Sequence, residues 1–141
     1  MVAGYRLCCG GRNGIMEAAC RGARESEAWS EGRILGILPG LDDHDANPYV
    51  DIVIPTGLNL ARNALVVTTG ALVVALGGGA GTLSEIALAW QYGKPVVALD
   101  LGEGWSARLA GEALDGARDD RVSAARDVDE VMRTIADVLG P

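Results

Sequence analysis

The feature that most constrains the fold is a glycine-rich segment in the middle of the chain, residues 72–85, which reads LVVALGGGAGTLSE. The apolar run Ala71–Leu76 is typical of a strand buried on both faces of a parallel sheet. The glycines that follow allow a sharp turn and a close approach of the backbone to a ligand; they are Gly77, Gly78, Gly79 and Gly81. Leu83–Tyr92 has a helical pattern, so the N–H groups and positive dipole end of that helix would face the turn. This arrangement favours an anion, most often a phosphate.

Two side chains add chemistry to this turn. Thr82 supplies a hydroxyl, and Glu85 places a carboxylate one helical turn further on. A carboxylate is unusual in a pure phosphate cradle, and it indicates a hydroxyl or amine partner, or acid–base chemistry. The alternative is a purely structural turn in which Glu85 complements the helix dipole.

The rest of the chain alternates strand and helix patterns. We predict strands at 5–9, 33–38, 50–54, 71–76 and 95–99 with an edge strand at 121–124, and helices at 15–27, 59–68 and 83–92, within 102–121 and after an N-cap at Asp127. Glu130 would close a capping box with Asp127. This alternation predicts an α/β protein with a Rossmann-like, doubly wound parallel sheet, formed by a single domain over residues 1–141.

Glycine turns follow several of the predicted strands. They lie at Gly10–Gly14, Pro39–Gly40, Thr56–Gly57 and Gly77–Thr82. Since ligands of such sheets bind outside the carboxyl ends of the strands, these turns predict the floor of a binding pocket.

Several side chains near these turns have more than one interpretation. Arg62 either reaches a phosphate or is a solvated helix residue. Asn13, between two glycines, either adopts a left-handed turn or binds the ligand. Trp90 and Tyr92 are core residues or part of a subunit contact.

Composition excludes several classes of function. The net charge of −7 argues against nucleic acid or an anionic membrane as the main partner, and no apolar run is long enough to span a bilayer. Cys8, Cys9 and Cys20 lack metal-ligand spacing and are expected to be reduced in a cytoplasmic protein, with no metal site predicted. His44 is the only histidine and lies in an acidic surface loop, so a nucleophilic triad is not expected.

Three motifs in order resemble the LONELY GUY (LOG) superfamily, once labelled lysine decarboxylases. Residues 77–85, GGGAGTLSE, resemble its PGGxGTxxE motif; residues 9–16, CGGRNGIM, resemble its first glycine-rich turn; and residues 56–63, TGLNLARN, lie where it carries its arginine motif. The glycine-rich and NLARN variants are similar to the branch that includes molybdenum-cofactor carrier proteins. The resemblance runs from Gly4 to about Asp100.

The resemblance implies roles for residues that match these motifs. In the phosphoribohydrolases of the superfamily the catalytic pair corresponds to Arg62 and Glu85. Ligand-binding positions correspond to Gly11, Asn13, Met16, Thr56, Gly57, Asn59, Gly78, Gly79, Gly81 and Thr82.

The chain also departs from the superfamily pattern. Gly77 replaces the enzymes' proline and Asn63 replaces a lysine, and the usual opening strand and helix are missing. A pyridoxal-phosphate decarboxylase is not expected, because the only lysine, Lys94, would lie at the opposite, amino-terminal end of its strand.

Two functions follow as expectations. The first is a carrier-type binding protein for a phosphate-bearing, nucleotide-like ligand such as molybdopterin cofactor or AMP, with no cofactor required. The alternative is a nucleoside 5′-monophosphate phosphoribohydrolase, an N-glycosidic hydrolase using Arg62 and Glu85. A homo-oligomer, dimer or tetramer, is expected, because the helix around Trp90 is apolar nearly all round.

Overall fold

The structure is a computed structural model that describes residues 4–140. Parallel strands alternate with helices through this range. The strands are β1 (Leu7–Cys9), β2 (Ile34–Leu38), β3 (Ile52–Pro55), β4 (Val73–Leu76), β5 (Val96–Leu99) and β6 (Ser123–Ala125). The helices are α1 (Ile15–Arg24), α2 (Asn63–Thr69), α3 (Ala80–Gln91), α4 (Gly104–Leu109) and α5 (Val128–Leu139), and a 3-10 helix (Asn59–Arg62) precedes α2. The described residues form two compact units, which divide between Val66 and Val67.

The first unit contains a three-stranded parallel sheet in the order β1-β2-β3. Leu7 pairs with Ile34 and Leu35 pairs with Ile52. Helix α1 packs on β1 and β2, where Cys20 and Ala23 bury against Ile34.

Asp51 fixes the geometry of this unit just before β3. Its side chain is almost fully buried, and its Oδ2 accepts hydrogen bonds from the backbone N–H groups of Arg33 and Ile34 and from Trp29 Nε1. A buried carboxylate held by several donors is a structural group, because these hydrogen bonds compensate its lost hydration.

The second unit contains a three-stranded parallel sheet in the order β4-β5-β6, covered on both faces. Alternate residues of β5 point to opposite faces: Val96 and Ala98 join one core cluster with α3, while Val97 and Leu99 join another with α5. The prediction of an α/β protein with a Rossmann-like arrangement of parallel strands is therefore confirmed.

Side chains cap the N-terminus of helix α5. Asp127 is the N-cap as predicted, and its carboxylate accepts from Glu130 N at 2.8 Å. The Glu130 side chain reaches back to Arg126 N, one residue earlier than a standard capping box requires.

Trp90 and Tyr92 behave differently, although they are two residues apart. Trp90 is buried, its Nε1 donates to Asp115 Oδ1 at 2.8 Å, and the Arg118 guanidinium stacks on its ring. The core interpretation therefore holds for Trp90, which is covered within its own chain by the segment after α4. Tyr92 is 55% exposed, so the core interpretation is wrong for it.

No helix in the described part of the chain combines the length and apolar character needed to cross a membrane.

Candidate functional site

The glycine turn between β4 and α3 is built by residues with distinct backbone roles. Gly77 and Gly78 adopt positive φ angles of 54° and 84°, a region that other residues rarely enter. A Cβ on Gly78 would collide with the side chain of Thr82, which folds back over the turn. Position 78 thus requires glycine, both because of the positive φ angle and because the Thr82 side chain lies so close.

Helix α3 begins at Ala80, three residues before the predicted start, so Gly81 and Thr82 belong to its first turn. Its N-cap is Gly79, and no side chain caps it. The first N–H groups of an α-helix have no partner within the helix. The N-terminus of α5 is capped by the Asp127 side chain, whereas the N–H groups and positive dipole end of α3 face a turn made of glycines. Such an uncapped helix N-terminus favours the binding of an anion.

A segment that sequence analysis did not connect with this turn holds it in place. The backbone N–H groups of Trp105 and Ser106 donate to the carbonyls of Gly78 and Gly77, both at 3.1 Å. The buried Ser106 hydroxyl accepts from Gly77 N at 2.7 Å and donates to Leu99 O at 2.8 Å. The start of α4 therefore clamps the turn to the end of β5.

The clamp also explains Gly104. A Cβ at this position would lie 2.6 Å from the carbonyl carbon of Gly77, and Gly104 has a φ of 75°. The sequence does contain a signal for this turn, because Gly102 and Gly104 flank a single acidic residue. Only a helix is predicted within this segment from the sequence.

An open cavity of about 430 Å³ lies at the carboxyl end of β5, beside this clamp. Its lining includes the acidic side chains of Asp100 and Glu103 and the basic side chain of Arg108. Asp100 Oδ1 accepts from Gly102 N at 2.9 Å. The cavity lies at the edge of this sheet where ligands of parallel sheets bind.

Glu85 lies in the second turn of α3 and is half-buried. Ser84, its neighbour, turns its hydroxyl back to the carbonyl of Gly81 at 2.8 Å. The Glu85 carboxylate is therefore on the helix that starts at the glycine turn.

In the first unit, the turn after β1 uses its glycines mainly for packing. Gly11 is buried with a φ of 71°, and a Cβ there would lie 3.0 Å from the Cα of Gly36. Its carbonyl accepts from Asn47 N and Nδ2, at 2.8 and 3.2 Å. The backbone of Gly11 is thus engaged inside the protein.

Asn13 is exposed and does not adopt a positive φ, so its interpretation as a left-handed turn residue is wrong. The left-handed positions are Gly11 and Gly14. Gly14 is the N-cap of α1, which also lacks a side-chain cap, and Met16 is half-buried in the first turn.

Arg62 is only 9% exposed, which makes the solvated-helix interpretation wrong. Its guanidinium occupies the space that a side chain on Gly10 would need. Gly10 at the end of β1 and Arg62 at the end of the 3-10 helix are therefore brought together within the first unit, although 52 positions separate them in the sequence.

The loop after β3 contains the remaining predicted residues of this unit. Thr56 Oγ1 donates to Leu38 O at 2.7 Å and accepts from Leu58 N, so it ties β2 to the loop. Gly57 has a φ of 67°, with the side chain of Leu41 close above it. Asn59, with a φ of 50°, is the only non-glycine residue in the described range with a positive φ, and sequence analysis missed this feature.

Two other side chains considered from the sequence are not part of the glycine turns. Lys94 precedes β5 and donates from Nζ to the carbonyls of Thr68 and Gly70, so it caps the end of α2. His44 is exposed in its loop as predicted, and no group of three or more metal-ligand side chains is assembled among residues 4–140.

The chain is similar to several solved structures. It superimposes on the X-ray structure of TM1055, a structural-genomics target, with a TM-score of 0.87 and 34% identity, covering 97% of this chain and 81% of that one. For the molybdenum cofactor binding protein from Rippkaea orientalis the TM-score is 0.81 and the identity 37%, covering 98% and 80% of the two chains. For the molybdenum cofactor carrier protein from Chlamydomonas reinhardtii the values are 0.78 and 33%, covering 99% and 81%.

A curated relative and a family model agree with these likenesses. An uncharacterized protein from Archaeoglobus fulgidus is 40% identical over 96 residues, which is 68% of this chain and 60% of the length of that relative. The model of the SLOG cluster4 family matches residues 1–132. This chain belongs to the SLOG cluster4 family.

Proposed function

We propose that this protein is a carrier-type binding protein for a small phosphate-bearing, nucleotide-like ligand, such as the molybdenum cofactor or AMP. The observation that carries the proposal is the N-terminus of α3, which no side chain caps and which opens onto Gly77–Gly79. Two solved structures with 37% and 33% identity to this chain are a molybdenum cofactor binding protein and a molybdenum cofactor carrier protein, and both names support a binding role.

In this proposal the phosphate lies on the backbone N–H groups of residues 78–82, and the Thr82 hydroxyl adds a further donor. The protein carries a net charge of −7, so overall attraction does not favour an anion. Oriented amides act only at short range, and an anion can therefore bind locally to an acidic protein.

The organic part of the ligand would extend beyond the phosphate. The cavity at the end of β5 offers the carboxylates of Asp100 and Glu103, which accept hydrogen bonds from hydroxyl or amino groups. Both a pterin and a nucleoside carry such groups. Comparing the affinities of the two ligands therefore decides whether the organic part is a pterin or a nucleoside.

Calorimetric titration tests the proposal directly, with AMP, molybdopterin and inorganic phosphate as separate titrants. We expect binding by at least one of the two organic ligands and a loss of at least tenfold in affinity in Gly78→Ala. Gly116→Ala is the matched control, because a Cβ there has no neighbour within 4 Å. Absence of binding by AMP and by molybdopterin, with a folded protein shown by circular dichroism, would refute the proposal.

The hydrolase alternative is favoured by one observation, the burial of Arg62. Arg62 is 9% exposed, and its guanidinium packs against the backbone of Gly10. The side chain is therefore held in a defined geometry, as a phosphate-binding or catalytic arginine requires. An assay for adenine released from AMP separates the alternatives. For an enzyme, Glu85→Gln abolishes release while phosphate binding persists; for a carrier, wild type binds AMP without releasing adenine.

A further inference from the structure

The first unit contains a pair of neighbouring thiols that is not part of the candidate phosphate site. Cys9 is the last residue of β1 and Cys20 lies in α1, and their sulfur atoms are 3.5 Å apart. A disulfide needs about 2.05 Å between its sulfur atoms, so the two would have to approach by about 1.5 Å. Neither cysteine is part of a disulfide in this structure.

The surroundings make the two thiols chemically unequal. Cys9 is half-buried, and its Sγ accepts a hydrogen bond from Gly11 N at 3.3 Å, which favours negative charge on that sulfur. Cys20 is fully buried; the hydrogen bond to Cys9 and its burial raise the pKa of its thiol far above the ordinary range. Cys9 is therefore the nucleophile, and Cys20 keeps its proton until it reacts.

We propose that Cys9 and Cys20 form a redox modification site that a peroxide oxidises reversibly to an intramolecular disulfide. The Cys9 thiolate attacks one peroxide oxygen, so that an S–O bond forms, the O–O bond breaks, and hydroxide leaves and takes up a proton. The Cys20 sulfur then attacks the sulfenic acid, so that the S–S bond forms and the S–O bond breaks, with loss of a second water. Two thiols lose two electrons and two protons, and hydrogen peroxide becomes two waters.

The disulfide would act on the glycine turn that the two cysteines enclose. Gly10–Gly14 connects β1 to α1, and Asn47 Nδ2 holds the carbonyls of Gly11 and Arg12 while also lying 3.6 Å from Cys20 Sγ. Movement of Cys20 toward Cys9 is thus transmitted to the group that fixes the turn. A thiol reductant attacks the disulfide and restores the original geometry.

The test is a mass-spectrometric count of thiols in the full chain. Protein treated with hydrogen peroxide is unfolded in denaturant with N-ethylmaleimide. We expect three adducts before oxidation, one after it, and three again after dithiothreitol. Trypsin cleaves after arginine, so the fragment Leu7–Arg12 should be linked to Asn13–Arg21 in the oxidised sample. A disulfide between Cys8 and Cys9 would instead stay within the first fragment.

Single substitutions assign the bond. Cys8 neighbours Cys9 on the strand and points to the opposite face, so Cys8→Ser should still form the link and carry no adduct after oxidation. Cys20→Ser should form none. Three adducts after peroxide, a link that disappears in Cys8→Ser, or a disulfide only between chains would each overturn the proposal. If Cys20→Ser does not fold, wild type and Cys8→Ser decide the question alone.

Discussion

Replacement of Ser106 by alanine should destabilise the second unit, because one hydroxyl serves two buried backbone groups. Ser106 is fully buried, and its Oγ lies 2.7 Å from Gly77 N and 2.8 Å from Leu99 O. Alanine leaves the Gly77 N–H without a partner, at a cost of about 1–3 kcal/mol. The Leu99 carbonyl keeps a second lone pair and loses less. We therefore expect a loss of about 2 kcal/mol, or roughly 7 °C in melting temperature for a chain of this length.

Urea unfolding followed by tryptophan fluorescence measures this loss. Trp90 and Trp105 report on the second unit and Trp29 on the first, so separate transitions can be recognised if the units do not unfold together. Ser30→Ala is the matched control: its exposed hydroxyl accepts from Arg33 Nε at 2.9 Å, and we expect a change of less than about 0.5 kcal/mol. Amide hydrogen exchange of Gly77 should also accelerate in Ser106→Ala. A stability within 0.5 kcal/mol of wild type would show that the clamp does not hold the turn.

Three further predictions concern backbone strain, pH and assembly. Gly78→Ala should cost about 1–2 kcal/mol from its positive φ alone, with Gly116→Ala near neutral in the same denaturation series. The hydrogen bond from Trp90 Nε1 holds the pKa of Asp115 below its ordinary value, so the stability that Asp115 contributes is present above its unfolded pKa of about 3.9 and is lost as the pH falls through the folded one. Melting temperature should accordingly fall less steeply between pH 5 and pH 3 in Asp115→Asn than in wild type, and parallel curves would contradict this. Light scattering should show a dimer or tetramer at micromolar concentration, whereas a monomer mass would refute that expectation. Trp90→Ala is no test of assembly, because loss of this buried ring should cost about 3–5 kcal/mol within one chain.

The strands and the cap of α5 could be predicted because their signals are local. Apolar runs closed by glycine or proline identified β1 to β4, and the run that begins at Pro95 identified β5, each to within a few residues. Asp127 identified the start of α5. The start of α3 was placed too late, since Gly81 was counted as part of the turn although it lies in the helix. Glycine has low helix propensity, but a first turn whose N–H groups are unsatisfied in any case loses little by containing one.

Features that depend on distant contacts could not be predicted. The Ser106 clamp joins residues 29 positions apart, and nothing at either position alone indicates it. Arg62 has the same sequence neighbours whether it is solvated or buried against Gly10. The difference comes from the parallel pairing of β1 with β2 and the packing of the 3-10 helix on β2, which tertiary structure alone provides.

The two glycine turns that resemble family motifs differ in what their glycines do. In the first, Gly11 is buried against Gly36 and its carbonyl is held by Asn47. In the second, the carbonyls of Gly77 and Gly78 are held by α4. The N-termini of α1 and α3 both lack a side-chain cap, but in the first turn the Gly11 N–H already donates to Cys9 Sγ at 3.3 Å. Motif identity treats the two turns alike, but an anion needs donors that the protein has not already used. Phosphate binding should therefore respond more strongly to substitution in the second turn than in the first, which is why the titrations above use Gly78→Ala.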